Sequence, residues 1–95
     1  MRRAARVDKN QKEIADTFKA LGCSVCFLHA VGKGVPDLLI GKHGVNMLVE
    51  VKGDKGKFTP DQKTWHENWR GLATVARNIE DCKFITDKLW EMAHD

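Results

Sequence analysis

Residues 35–52 read VPDLLIGKHGVNMLVEVK. Two apolar runs flank the short turn KHG, which contains Gly44, and this pattern predicts a β-hairpin of two neighbouring strands. Each predicted strand also carries a carboxylate where an apolar residue would pack better. Asp37 stands at the head of the first strand and Glu50 near the end of the second. Both lie a similar distance from the turn, so we expect the two side chains to lie side by side.

Lys52 adds a positive charge to this pair. Residues of a strand that are two apart emerge on the same face, so Glu50 and Lys52 share one side of the sheet. Carboxylate oxygens suit Mg²⁺ or Mn²⁺, and the backbone carbonyl of Val51 offers one more oxygen. A metal ion there would polarise a phosphoryl oxygen, while the lysine would stabilise the developing charge. A structural alternative stays open, in which Lys52 is only the ion-pair partner of Glu50 and Asp37 is a strand-entry carboxylate.

Size and charge agree with a small protein that acts on a polyanion. The 95 residues predict one domain, 1–95, and the net charge of +3 with a pI near 8.9 favours a partner such as DNA. Residues 1–7 are expected to form a flexible basic arm. The candidate DNA-binding residues are Arg2, Arg3 and Arg6 in the arm, and Lys33, Lys55, Lys57 and Lys63 around the hairpin. A solvated basic face is the alternative interpretation.

The remaining elements give the order αβββαβα. A first helix carries the apolar stripe Ile14, Phe18 and Leu21, with Asp8 or Asn10 as its cap, and a strand follows in SVCFLHAV. Thr59 and the proline after it start a second helix, which is expected to run to Gly71. A strand in LATVAR and a helix capped by Asn78 complete the chain. The expected fold is α/β, with an antiparallel meander, a parallel fourth strand and flanking helices.

Other notable residues are explained mainly by packing. Cys23 and Cys26 have the CxxC spacing, but without a second pair this is a weak zinc signal, and we expect small buried hydrophobes in a reducing compartment. Trp65 and Trp69 predict either core packing or the cover of a dimer interface. The chain has no apolar run long enough to span a membrane and no signal peptide, so we expect a cytoplasmic protein.

The sequence resembles a known family over most of its length. Pro36-Asp37, then Glu50-Val51-Lys52 after a hairpin, and TPDQ (residues 59–62) at a helix start are similar to the PD-(D/E)xK nuclease superfamily, in particular its VRR-NUC (virus-type replication-repair nuclease) branch. The chain looks like a stand-alone, phage-type member. The resemblance implies a restriction-endonuclease-like core and Mg²⁺-dependent hydrolysis of DNA phosphodiester bonds, in a bacterial host cell if the protein is phage-encoded.

The resemblance also implies roles for individual residues. Asp37, Glu50, Lys52 and Gln62 would be catalytic, with the metal held by Asp37, Glu50 and the Val51 carbonyl. Glu13 on the first helix would complete the metal site directly or through water. Small stand-alone members are similar to Holliday-junction resolvases, which implies a homodimer that acts on branched or four-way DNA.

Several alternatives stay open at this point. A flap, nicking or restriction-type nuclease would use the same site, and a nucleic-acid-binding protein could keep the fold without cleavage. Glu13 could equally be an ordinary exposed helix residue. Gln62 is also the third residue of a predicted capping box, and we expect a side chain folded back on the cap to be unable to reach the metal site. The number of metal ions and the dimer face are also open.

Overall fold

Four strands form one mixed sheet in the order β1-β2-β3-β4 in the computed structural model, which describes residues 10–95. The strands are β1 (Ser24–Phe27), β2 (Leu38–Lys42), β3 (Val45–Val51) and β4 (Ala73–Ala76). β1, β2 and β3 pair antiparallel, and β4 pairs parallel to β3. The predicted α/β fold and sheet topology are therefore confirmed. The predicted basic arm, 1–7, lies outside the described residues.

Two helices cover one face of the sheet, the inner face. Helix α1 (Gln11–Ala20) buries Ile14 and Phe18 completely, and helix α3 (Ile79–Ala93) buries Cys82, Ile85 and Leu89. Both pack with the alternate strand residues that point the same way, among them Leu38, Ile40 and Val49. Ile14 and Phe18 of the stripe predicted for the first helix thus lie in the core, whereas Met92 at the end of α3 is exposed.

The opposite face of the sheet, the outer face, is covered less completely. It carries Leu39, Leu48 and Glu50, and helix α2 (Pro60–Asn68) lies beside its Glu50 end. None of the residues 60–68 is fully buried. Leu39 and Leu48 are half-buried and line a cleft of about 380 Å³ together with Trp69 and Leu72. Polar contacts therefore contribute more to holding α2 than core packing does.

Helix termini follow the predicted signals in two of three cases. Thr59 and Gln62 form the predicted capping box of α2, and the Asn78 side chain accepts a hydrogen bond from the Asp81 amide at 2.8 Å. Asn10 stands at the N-cap position of α1, but its side chain donates to the backbone carbonyls of Lys52 and Arg77 at 3.1 and 3.2 Å. The amide therefore ties α1 to the ends of β3 and β4.

Three details differ from the sequence-based expectations. Helix α2 ends at Asn68, not at Gly71, because Trp69 adopts an extended backbone. Cys26 is exposed on the outer face, whereas Cys23 is buried as expected. Trp69 is also exposed and is not a core residue. Across residues 10–95, the structure contains no helix with the length and apolar character needed to cross a membrane.

Candidate active site

The hairpin register places Asp37 next to Glu50. Leu38 pairs with Val49, so the residue before Leu38 stands beside the residue after Val49. A hydrogen bond of 2.9 Å joins the two strands here, from the Val51 amide to Oδ2 of Asp37. Asp37 and Glu50 also share the outer face, because both have the same strand parity as Leu39 and Leu48. Turn length and the apolar pattern of the strands together fix this arrangement.

Glu50 and Lys52 form a buried charged pair on that face. The exposed fraction is 1% for Glu50 and 9% for Lys52, and Nζ of Lys52 lies 4.0 Å from Oε2 of Glu50. Burying charged groups is costly unless they are paired and hydrogen-bonded. The structure supplies those bonds from α2, through Gln62.

The Gln62 side chain contacts both members of the pair. Its Nε2 donates to Oε2 of Glu50 at 3.0 Å, and its Oε1 accepts from Nζ of Lys52 at 2.6 Å. The same Oε1 also accepts from the Thr59 amide at 3.0 Å, which is the capping-box bond. Only this orientation of the amide presents its oxygen to both donors and its nitrogen to the carboxylate.

The expectation that Gln62 must either cap the helix or reach the site is therefore wrong. An amide oxygen has two lone pairs, so one oxygen accepts the cap amide and the lysine together, while the NH₂ group is free to donate. The capping geometry itself brings this side chain toward β3, because α2 begins beside the end of that strand.

Sequence reasoning missed two aromatic residues near Lys52. The Phe58 ring lies 5.9 Å from Nζ of Lys52 and stacks on His66 with 4.6 Å between ring centroids. Burial, and then the charge of Lys52, lowers the pKa of His66 below its ordinary value. The available signal was spacing: His66 follows Gln62 by one helical turn and so faces the same side of α2.

The glycine-rich loop before β2, formed by Gly32, Lys33 and Gly34, packs against the start of α2. Gly34 has φ +82°, and a Cβ at this position would overlap the backbone carbonyl of Asp61. The close approach of the two backbones therefore requires glycine. It also fixes the distance between the loop that leads to Asp37 and the helix that carries Gln62.

The oxygen donors at the site fit a hard divalent cation. Asp37 and Glu50 supply carboxylate oxygens from neighbouring strands, and the Val51 carbonyl points to the same side as its amide, which is bonded to Asp37. Mg²⁺ commonly binds one or two carboxylates and keeps several waters. Within residues 10–95 no three Asp, Glu, His or Cys side chains converge on one point, so the site offers two carboxylates and a carbonyl.

Glu13 is not brought into this group. It is exposed on the first turn of α1, in a cleft with Asp54, Arg77 and Glu80. Helix α1 packs on the inner face, whereas Asp37 and Glu50 point to the outer face. Among residues 10–95, Glu13 therefore does not form a three-carboxylate group with Asp37 and Glu50, and its role through water stays a prediction.

The candidate DNA-binding lysines are all exposed, as phosphate contacts must be. Within residues 10–95, none of their side chains takes part in an ion pair. They lie in the glycine-rich loop, in the loop before α2 and on α2 itself: Lys33, Lys55, Lys57 and Lys63. Arg2, Arg3 and Arg6 lie outside the described residues.

Comparisons with known proteins agree with this architecture. A family model described as "VRR-NUC domain" matches residues 5–77. A solved structure described as "VRR_NUC domain" is 36% identical, with a TM-score of 0.63, and the match covers 85% of this chain and 89% of that chain. A comparison with curated proteins gave no match. The chain thus has a nuclease-type fold, and its class is that of endonucleases that act on DNA. The chain belongs to the VRR-NUC domain family.

Proposed function

We propose that the protein is a Mg²⁺-dependent endonuclease that hydrolyses phosphodiester bonds in branched DNA. Mn²⁺ substitutes for Mg²⁺, and the enzyme acts as a homodimer on four-way junctions, as a Holliday-junction resolvase does. Asp37, Glu50, Lys52 and Gln62 form its active site.

The buried pair of Glu50 and Lys52 carries the proposal. Hydrophobic residues of similar volume would stabilise a fold as well as a buried ion pair does, and often better. A charged pair on the central strand of a small domain is therefore poorly explained by stability alone. Its position beside Asp37, in a family with a nuclease-type fold, favours a catalytic role over a purely structural ion pair.

The chain's own residues would divide the work as follows. Asp37, Glu50 and the Val51 carbonyl hold the cation, which when bound acts as a Lewis acid on the phosphate. Lys52 presents its ammonium group to the negative charge that develops during hydrolysis. Gln62 keeps that ammonium group in place through the 2.6 Å hydrogen bond. The exposed lysines contact neighbouring phosphates without reading sequence.

Charge and surface support the dimeric, DNA-binding part of the proposal. The net charge of +3 favours a polyanion. The outer face of the sheet leaves an apolar cleft between Leu39, Leu48 and Leu72. A second protomer that covered such a surface would gain stability by burying it. Two protomers bring two active sites, one for each strand cut in a junction.

The test compares a labelled four-way junction with linear duplex of the same sequence, with Mg²⁺ or Mn²⁺. The variants are Asp37→Asn and Lys52→Met, with the exposed Lys83→Ala on α3 as a matched control. We expect paired, symmetric nicks in the junction that both site variants lose and the control keeps. Mn²⁺ binding, followed by electron paramagnetic resonance, should weaken in Asp37→Asn and persist in Lys52→Met.

Other outcomes would overturn defined parts of the proposal. Cleavage of every DNA form would leave a nuclease but remove the junction specificity. Tight DNA binding without cleavage under either metal would mean a non-cleaving binder on the same fold. Circular dichroism of each variant separates loss of the site from loss of the fold.

A further inference from the structure

A third cleft lies along α2, beside the glycine-rich loop. Its volume is about 530 Å³. The proposed catalytic cluster does not use any of the residues that line it. They are Lys33, Asp61, Thr64, Trp65, Asn68 and Trp69.

Two stacked indole rings form the apolar part of this cleft. The ring centroids of Trp65 and Trp69 are 4.8 Å apart, and the ring planes differ by 17°. Trp69 is 45% exposed, although it is among the largest apolar side chains of the protein. A flat aromatic surface that is already stacked on one side and open to solvent can accept a further flat ring.

The polar lining favours an uncharged ring over a phosphate group. Lys33 brings a positive charge, but the Asp61 carboxylate opposes it within the same cleft. The Asn68 Nδ2 donates to the Thr64 carbonyl at 2.9 Å, so the amide offers its oxygen as an acceptor. Stacking surfaces with a few hydrogen-bonding groups are typical of sites for nucleobases.

The lining of this cleft is adjacent to the candidate active site along the chain. Asp61 directly precedes Gln62, and the backbone of Gly34 packs against the Asp61 carbonyl. Trp69 follows Gln62 by seven residues, which is about 10 Å along a helix. That distance corresponds to roughly three stacked nucleotides of one DNA strand.

We propose that Trp65, Trp69 and Lys33 form a subsite for an unpaired nucleobase of the DNA substrate. A base inside a duplex stacks on its neighbours and has no free face, so the subsite takes a base from a branch point or a single-stranded end. The inference relies on the proposed function for its ligand, DNA. It adds a means by which the protein distinguishes branched from continuous duplex.

The test uses binding in EDTA, without cleavage. An oligothymidylate of about eight nucleotides is compared with an oligomer of equal length in which abasic residues replace the bases. We expect the thymidylate to quench tryptophan fluorescence and the abasic oligomer to leave it unchanged. With a labelled thymidylate, Trp69→Ala should weaken binding by roughly five- to a hundred-fold, since each stacked base contributes substantially to affinity. Trp69→Phe keeps an aromatic ring and should lose less.

Trp90 supplies a matched control. It is 52% exposed and stacks on His94 near the end of α3, outside the cleft. Trp90→Ala should bind the thymidylate like the wild type. Equal quenching by both oligomers, or equal weakening by Trp69→Ala and Trp90→Ala, would overturn the proposal. So would a Trp69→Ala protein that keeps its DNA affinity, whether or not it loses a dimer in analytical ultracentrifugation, because Trp69 also borders the apolar cleft of the outer face and would then serve only a subunit interface.

This test separates the two proposals. Base-dependent quenching in a protein that never cleaves DNA would refute the nuclease and keep the subsite. Cleavage by a protein that shows no base-dependent quenching would keep the nuclease and refute the subsite.

Discussion

The Gln62 amide donates a hydrogen bond of 3.0 Å to the Glu50 carboxylate, while its oxygen accepts from the backbone at the start of its own helix. One side chain thus belongs both to the cap of α2 and to the candidate active site. Local helix formation and assembly of the site are coupled through this residue.

Replacing Gln62 by alanine should affect both stability and activity. Loss of the cap and of the hydrogen bonds to the buried pair should lower the free energy of unfolding by about 1–3 kcal/mol. The cleavage rate should fall by roughly 10- to 100-fold, as for other residues that orient metal or catalytic groups. Thr59→Ala is the matched control. It removes the cap without touching Glu50, so it should cost about 1 kcal/mol and leave cleavage nearly unchanged. Equal cleavage rates in Gln62→Ala and Thr59→Ala would mean that Gln62 acts only as a helix cap.

Glu50 and Lys52 should show strong energetic coupling. Removing one partner leaves the other charge buried, which typically costs about 3–5 kcal/mol. Urea unfolding of Glu50→Gln, Lys52→Met and the double variant completes a thermodynamic cycle. We expect the double variant to be more stable than the sum of the single effects predicts, by about 1–3 kcal/mol. Additive effects would contradict the ion pair. Recovered stability without recovered cleavage would indicate that the pair serves catalysis.

Alanine substitutions at Gly34 and Gly44 separate the cost of backbone strain from the cost of steric overlap between the added Cβ and other parts of the chain. Both have a left-handed backbone, with φ +82° and +79°, but only a Cβ at Gly34 meets another part of the chain, the Asp61 carbonyl. Gly44→Ala should cost about 1 kcal/mol from strain alone. Gly34→Ala should cost about 1–3 kcal/mol more, because packed backbone must move. Thermal unfolding of both variants checks this, and equal losses would mean that the loop does not pack on α2.

The stability of the protein should fall below neutral pH because of His66. Burial and the charge of Lys52 lower the pKa of this imidazole in the folded state. The unfolded chain, with an ordinary pKa of about 6.5, therefore binds more protons as the pH falls. The contribution of His66 to the free energy of unfolding is complete above the unfolded-state pKa of about 6.5. It is lost as the pH falls through the lower folded-state pKa. Urea unfolding between pH 8 and pH 5 should show a smaller loss in His66→Phe, which keeps the stack on Phe58. An unchanged pH dependence would refute this assignment.

The strand pairing and the adjacency of Asp37 and Glu50 were predictable from sequence for a physical reason. Strand side chains alternate with a period of two, and a short turn fixes the register, so the placement of Asp37, Glu50 and Lys52 on one face depends on local pattern alone. The start of α2 was predictable in the same way, since Thr59 and the residues that follow it carry a complete capping signal.

The contacts between distant segments were not predictable in this way. The Asn10 amide satisfies the carbonyls of Lys52 and Arg77, which lie far along the chain, and no local rule names those partners. Core packing was one of two expectations for Trp69, but α2 lies at one end of the outer face and leaves the indole exposed. The double role of Gln62 needed the position of α2 relative to β3, which only the tertiary structure gives.

Helix α2 has no fully buried residue, yet it supplies the side chain that completes the candidate active site. Segments with few buried apolar contacts open locally at a lower free energy than the whole protein. The share of molecules that have a complete candidate active site at any instant is therefore set by an equilibrium between docked and undocked α2, while the sheet stays intact. Any ligand that holds α2 against β3 would raise that share. The apparent affinity of the protein for a second ligand that needs the complete site would rise in proportion to the share.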